Sequence, residues 1–340
     1  MKTITVAGGG LAGLALGIHL QRKGVSVVLN EAGSYPRHRV CGEFICGVKP
    51  EELAYLGIAD AFRGAVPCQT TSWFYRGRPV YSKKLPRPAI GISRYCLDQR
   101  LAKQFRSEGG QLNERTRLTR EQLPEEGTVT AVGRKAETTD WLGLKFHASG
   151  LELDNDLELH LGNHAYLGIS RIEGGAYNLC GLFRKRPGLT APKTQLPLAY
   201  LEASGLNYLV ERLKDATIDE NSVTGISNLS YQSKPPANDE TLPLGDSAGL
   251  IAPFTGNGMS IAFESAMIAA SPLLAYAEGK SDWNQVLADV ALINHKRFRV
   301  RKTVARMIHP LIYSPRGQTA LSLFAKSRML PFRPLFSLTH

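Results

Sequence analysis

Three glycines, Gly8, Gly10 and Gly13, with Glu31 some way downstream, have the types and spacing needed to hold a dinucleotide. Gly8 permits a tight turn, Gly10 lets the backbone approach a pyrophosphate, and Gly13 lets a helix pack closely on a strand. Leu11, Ala12 and Gly13 would open that helix, whose unpaired N–H groups and positive dipole end suit phosphate. Glu31 stands where an acidic side chain accepts hydrogen bonds from a ribose. More than two hundred residues on, a second glycine-rich stretch runs from Gly245 and Asp246 through Gly249, Pro253, Gly256, Asn257 and Gly258. Asp246 follows a short apolar run and can accept from a sugar hydroxyl. The glycines ahead of Met259 would bring backbone N–H groups, and another positive helix end, to an electron-rich ring. The first stretch implies a dinucleotide. The two together imply FAD.

The elements that must carry these residues are legible around them. Residues 4–7 read as a strand, 11–23 as a helix ended by Gly24, and 25–29 as a second strand, which makes a βαβ unit. The long aperiodic segment 32–49 is of the kind that serves a site. A short helix is expected over 51–62, a hairpin over 70–75 and 78–82 around Gly77, and a helix capped by Ser93 over 93–105. Strands are expected at 128–132, 142–147, 157–161, 165–170 and 176–183, the last four in an antiparallel sheet. Helices should surround 206–216, and the chain from Trp283 onward reads as helix broken at Pro310, Pro315, Pro331 and Pro334. The fold class is therefore α/β: a Rossmann-like FAD-binding domain with an inserted antiparallel β-sheet substrate domain and C-terminal helices. The FAD-binding domain would take 1–66, 92–138 and 236–285, the sheet domain 67–91 and 139–235, and a basic helical region 286–340.

Composition narrows the class. The chain of 340 residues carries a net charge of +11, and nearly all of that excess sits at one end. From Val290 to His340 there are ten Lys or Arg and no acid, against 31 basic and 30 acidic residues before it. Apolar residues such as Leu311, Leu323, Phe324 and Phe336 are interleaved with those cations, which suits an anionic membrane surface or an acidic carrier protein. Nucleic acid is not expected, since no binding module accompanies the charge. The five cysteines lack C-x-x-C spacing and read as reduced thiols, with no metal site. The glycines and His19 argue against a secretory signal at the N-terminus, and no run of eighteen apolar residues suggests a spanning helix. A cytoplasmic protein, peripheral at the membrane, is the expectation.

The chain resembles the FAD-dependent superfamily of aromatic hydroxylases, flavin-dependent halogenases and geranylgeranyl reductases, with its reductase-like branch as the better match. The residues that carry the likeness are Gly8, Gly10, Gly13 and Glu31, the segment Pro36–Glu43, the helix opening Ser93–Arg94 with Asp98, and Gly245–Gly258. The resemblance implies that Arg39, Cys41 and Gly42 lie near the isoalloxazine ring, with Cys41 and Arg39 as candidate catalytic residues. It implies that Arg94 contacts the cofactor and that Gly245, Asp246, Pro253, Gly256, Asn257 and Gly258 hold the ribityl chain and flavin. His38 reads as a surface residue. Three family signatures are missing: the late Asp-Gly pair of the hydroxylases, replaced here by Ala131–Arg134, the W-x-W-x-I-P segment of the halogenases, and the Y-x-W-x-F-P segment of the prenyl reductases.

The function implied is an FAD-dependent oxidoreductase, reduced transiently by NAD(P)H or by an external donor, that reduces a C=C bond in an isoprenoid, lipid-like or carrier-bound substrate. The alternatives are an FAD-dependent monooxygenase acting on an aromatic or apolar substrate, and a flavin-binding protein without catalysis.

Overall fold

The computed structural model describes residues 1–133, 138–227, 240–249, 256–327 and 329–339. Strand β1 (Ile4–Ala7) leads into helix α1 (Leu11–Arg22) and strand β2 (Val27–Asn30). The long segment that follows is irregular except for a short strand β3 (Phe44–Ile45). Helix α2 (Pro50–Leu56) is separated at Gly57 from a 3-10 turn over Ala59–Phe62, so the single helix expected over 51–62 is two elements. A hairpin of β4 (Val66–Tyr75) and β5 (Arg78–Gly91) turns at Arg76–Gly77 and is longer than the polar–apolar alternation suggested. Helix α3 (Arg94–Ser107) starts at Ser93, whose hydroxyl accepts the Cys96 N–H as an N-cap.

Strands β6 (Gln111–Asn113) and β7 (Thr128–Thr130) come next, then β8 (Trp141–Ser149), β9 (Leu157–Gly162), β10 (Ala165–Arg171) and β11 (Tyr177–Arg184). Helices α4 (Leu196–Ala203) and α5 (Asn207–Leu213) precede β12 (Thr217–Ser227). The chain returns through β13 (Leu242–Pro243) and α6 (Gly258–Ala277), and ends in α7 (Trp283–Tyr313), α8 (Pro315–Lys326) and α9 (Phe332–Thr339).

Two sheets result. The first is parallel, in the order β13-β7-β1-β2-β6, with α1, α3 and α6 burying the apolar sides of β1 and β2. Ile4, Val6, Val27 and Leu29 are all buried under these helices, with Thr5 and Val28 between them half-buried. The second sheet has eight strands in the order β12-β8-β11-β10-β9-β4-β5-β3, antiparallel except where β4 lies along β9. Its core of Leu144, Phe146, Leu167, Ile169 and Leu179 is covered by α4 and α5. The Rossmann-like parallel sheet, the separate antiparallel sheet and the C-terminal helices agree with the fold class read from sequence.

Two prolines behave differently from expectation. Pro310 lies inside α7, where buried Ile312 and Tyr313 hold the last turn in place and the Ser314 N–H donates to the Pro310 carbonyl. The break falls at extended Ser314, the residue before Pro315, where a following proline disfavours helical backbone. Pro334 likewise sits within α9. Helix α6 is long and apolar enough to cross a bilayer, with a mean hydropathy of 1.4, although no such span was expected. It is a core helix here, packed on α1 and α7, and Phe263, Ala266, Ala269 and Leu273 are buried.

Candidate functional site

At the end of β1 the backbone turns through Gly8 with φ +109°, a conformation side chains rarely adopt. A Cβ built there would overlap the Ala131 carbonyl after β7, and one built on Gly13 would overlap the Gly8 carbonyl. Both glycines are thus demanded by close approach of β1, β7 and α1. Gly10 is the N-cap of α1 and gives it no side-chain cap, so the first N–H groups of the helix, from Leu11, Ala12 and Gly13, can serve an outside acceptor. Glu31, 4% exposed, lies beside this turn, accepting the Gly9 N–H at Oε2 and the Gly33 N–H at Oε1, both at 2.8 Å. Arg37 and Arg39 approach the same carboxylate at 2.6 and 3.5 Å. Burial alone would raise the Glu31 pKa, but the Gly33 N–H, the two guanidinium groups and the Gly9 N–H together hold it below the usual carboxylate range.

The second motif reaches the first in space. A Cβ on Gly245 would stand 3.4 Å from that of Ala12, which places the 3-10 turn Gly245–Ala248 against the first turn of α1. The Gly245 N–H donates to Ser265 of α6, which fixes the turn on that helix. Asp246 sits in this turn, Gly256 packs on the Phe44 ring next to the Pro36–Glu43 segment, Asn257 is buried at the N-cap of α6, and Met259 is buried behind it. Pro253 lies outside the described residues. Among the described residues, a Cβ on Gly42 or Gly258 would meet nothing within 4 Å.

Two helix N-termini, a buried ribose-type carboxylate and two glycines fit an extended dinucleotide that carries a flavin. Gly8, Gly10 and the start of α1 would take its pyrophosphate, Glu31 a ribose, and Asp246 with the start of α6 the ribityl and ring end.

The other sequence candidates have partners of their own. Arg94 forks onto Asp98 at 2.6 and 2.8 Å, and Arg39 reaches the same fully buried carboxylate at 3.1 Å. Cys41 is raised in pKa by burial, only partly offset by Arg94, so it is a protonated thiol and not an activated thiolate.

Between this segment and the antiparallel sheet lies a cluster that sequence reading missed. Glu43 and Lys145 are both 0% exposed, with Lys145 Nζ 3.4 Å from Glu43 Oε1. His147 Nε2 lies 2.6 Å from Glu43 Oε2, the Arg94 N–H donates to Glu43, and Lys145 Nζ is 3.1 Å from His38 Nδ1. His38 also stacks on Tyr95, so it is a half-buried member of the site and not the surface residue expected. The signal was present in β8, where Lys145 and His147 interrupt the run Leu144, Phe146, Ala148. Alternation alone places them on the opposite face of the strand, and only the segment that packs over that face buries them.

Burial lowers the Lys145 pKa against the pull of Glu43. Burial, then Lys145 and His147, push His38 down to about 4. The cluster borders a cavity of about 500 Å³ that His38, Tyr95, His147, Glu173 and Asp219 help to line.

The His38 shift has a measurable consequence. Between the unfolded value of 6.5 and about 4, the unfolded chain binds a proton that the folded chain refuses, so this group's contribution to stability falls as pH drops through that window. Urea midpoints measured at both ends of the window should fall less with acid in His38→Gln than in the wild type. Parallel declines would mean that His38 does not titrate as its surroundings imply.

No protein-family model matches the chain, and no curated protein matches it significantly. Solved structures do. The p-nitrophenol 4-monooxygenase PnpA from Pseudomonas putida is 14% identical with a TM-score of 0.73, over 100% of this chain and 97% of that one. The flavin-dependent brominase Bmp2 is 17% identical with a TM-score of 0.76, over 99% and 93%. HpxO from Klebsiella pneumoniae, crystallised with FAD and uric acid, is 15% identical with a TM-score of 0.76, over 99% and 96%. Across its whole length, this chain has the fold of the FAD-dependent monooxygenases and halogenases.

Proposed function

We propose that the chain is an FAD-dependent oxidoreductase of the monooxygenase type, acting on an aromatic or apolar small molecule that carries an ionisable head group. The observation that carries this reading is the polar, titratable lining of the cavity beside Cys41–Glu43: His38, Tyr95 and His147, backed by Lys145 and Glu43. A cavity built to reduce an isoprenoid C=C bond needs an apolar lining, and this one is mixed. The names of the similar structures, which include a monooxygenase and a brominase, support oxidation over reduction. Reduction of a lipid-like substrate stays as the second reading, because the basic and apolar C-terminal helices suit such a substrate.

In this reading the redox chemistry comes from bound FAD, with NAD(P)H or an external donor as transient reductant. Gly8 to Gly13 and Glu31 bind and orient the cofactor from one end, and Asp246 with the start of α6 from the other. The antiparallel sheet packs against the Cys41–Glu43 segment. Ser170 donates to the Gly42 carbonyl and Asn178 to the Cys41 carbonyl, which holds that segment in place. His38 and His147 line the cavity and can hold or move a proton, with Lys145 held against His38 and Glu43 against His147. The expected location is the cytoplasm, peripheral at the membrane.

The test is the visible spectrum of the purified protein under argon, before and after NADPH, followed by air and candidate substrates. A flavin band that bleaches, and a product that gains one oxygen atom, would support the monooxygenase. A product that gains two hydrogens would support the reductase. Absence of flavin after incubation with FAD would overturn both. Asp246→Ala should co-purify with less flavin than the wild type, and unchanged occupancy would remove Asp246 from the cofactor site.

A further inference from the structure

Helix α7 presents two stripes. Phe298, Arg301, Ala305 and Ile312 face the protein and are buried. On the other side Ile293, Val300, Met307 and Leu311 recur at intervals of seven, seven and four residues, a spacing that aligns them along one face. They are 44%, 45%, 71% and 40% exposed. The apolar exposure continues through Leu323 and Phe324 of α8 at 62% and 51%, and through Met329 at 68%. Among the described residues, exposed Lys296, Arg299, Arg306, Arg316 and Lys326 flank these side chains, and no acidic residue lies between Val290 and His340.

Soluble surfaces rarely gather large apolar side chains along one line, and a run flanked by cations of one sign marks a contact surface. We propose that α7 and α8 form a docking face for an anionic lipid bilayer, a surface independent of the flavin reading. From Ile293 to Leu311 the stripe extends for about 27 Å at the helical rise. That length suits a helix lying in the plane of a membrane, where every apolar residue along it is buried and every flanking cation meets a lipid phosphate. A nucleic acid would use the cations and leave Met307, Leu323 and Phe324 in water. The same helix reaches the candidate site from its inner side. Arg297 and Arg301 clamp Glu264 of α6 at 2.7 and 2.5 Å, and Lys302 donates to the Ala248 carbonyl in the Asp246 turn. Docking would therefore set the candidate site next to the bilayer.

The experiment is co-sedimentation of the full-length protein with vesicles of phosphatidylcholine, with and without phosphatidylserine. Binding to the phosphatidylserine vesicles, weakened by added salt, is expected. The double variant Met307→Asp, Phe324→Asp should bind them at least about tenfold more weakly, since it removes two inserted side chains and adds two repelled charges. Both side chains are exposed, so its thermal melt should match the wild type. Failure of the full-length protein to bind, or unchanged binding by a folded double variant, would overturn the proposal. Retention on a polyglutamate matrix without vesicle binding would also overturn it, and would assign the face to an acidic protein.

Discussion

Replacing Glu43 by Ala is expected to cost about 3–5 kcal/mol of folding stability, the range found when one partner of a buried charge pair is removed. Glu43 and Lys145 are fully buried, and Glu43 also accepts from the Arg94 N–H and contacts His147. Without the carboxylate, Lys145 keeps the desolvation cost and loses the charge that offsets it. Urea unfolding of Glu43→Ala measures the loss directly. The double variant Glu43→Ala, Lys145→Met should recover part of it, because both charges then leave the interior together. A single-variant loss under about 1 kcal/mol would mean that water reaches the pair.

The second large effect belongs to the glycine turn. Gly13→Val should leave the protein without bound flavin and destabilise it by about 2 kcal/mol or more, since a β-branched side chain there collides with the Gly8 carbonyl and forces α1 away from β1. Gly24→Ala is the matched control. Gly24 has φ +79°, but a Cβ there meets nothing within 4 Å, so the cost is backbone strain alone, about 1 kcal/mol, with the flavin site intact. Flavin content per folded protein separates the two. Equal flavin content in Gly13→Val and the wild type would dismiss the turn as a cofactor cradle, and equal loss in both variants would mean that general destabilisation empties the site.

Much of this molecule is written locally. The order strand, glycine turn, helix, strand, acid over residues 4–31 depends on contacts between near neighbours, so type and spacing were enough to place Gly8, Gly10, Gly13 and Glu31. The Ser93 cap and six of the eight strands of the antiparallel sheet were legible for the same reason, since capping and alternation are local rules, whereas β3 and β12 were missed. Prolines were misleading where long-range packing overruled propensity, as at Pro310, which the buried Ile312 and Tyr313 hold in helix.

What the sequence by itself determined is therefore the kind of fold, the two glycine-rich turns of the proposed cofactor site and the uneven charge of the chain. What only the tertiary structure decided is which side chains share an environment. Arg94 and Arg39 are drawn together on Asp98, and Glu43 meets Lys145 and His147 across more than a hundred residues. The same holds for the outer stripe of α7, since a helical repeat of apolar residues reads as core until the packing shows which side faces solvent. Burial, charge pairing and exposure belong to surfaces brought together from distant parts of the chain, and no local pattern encodes them.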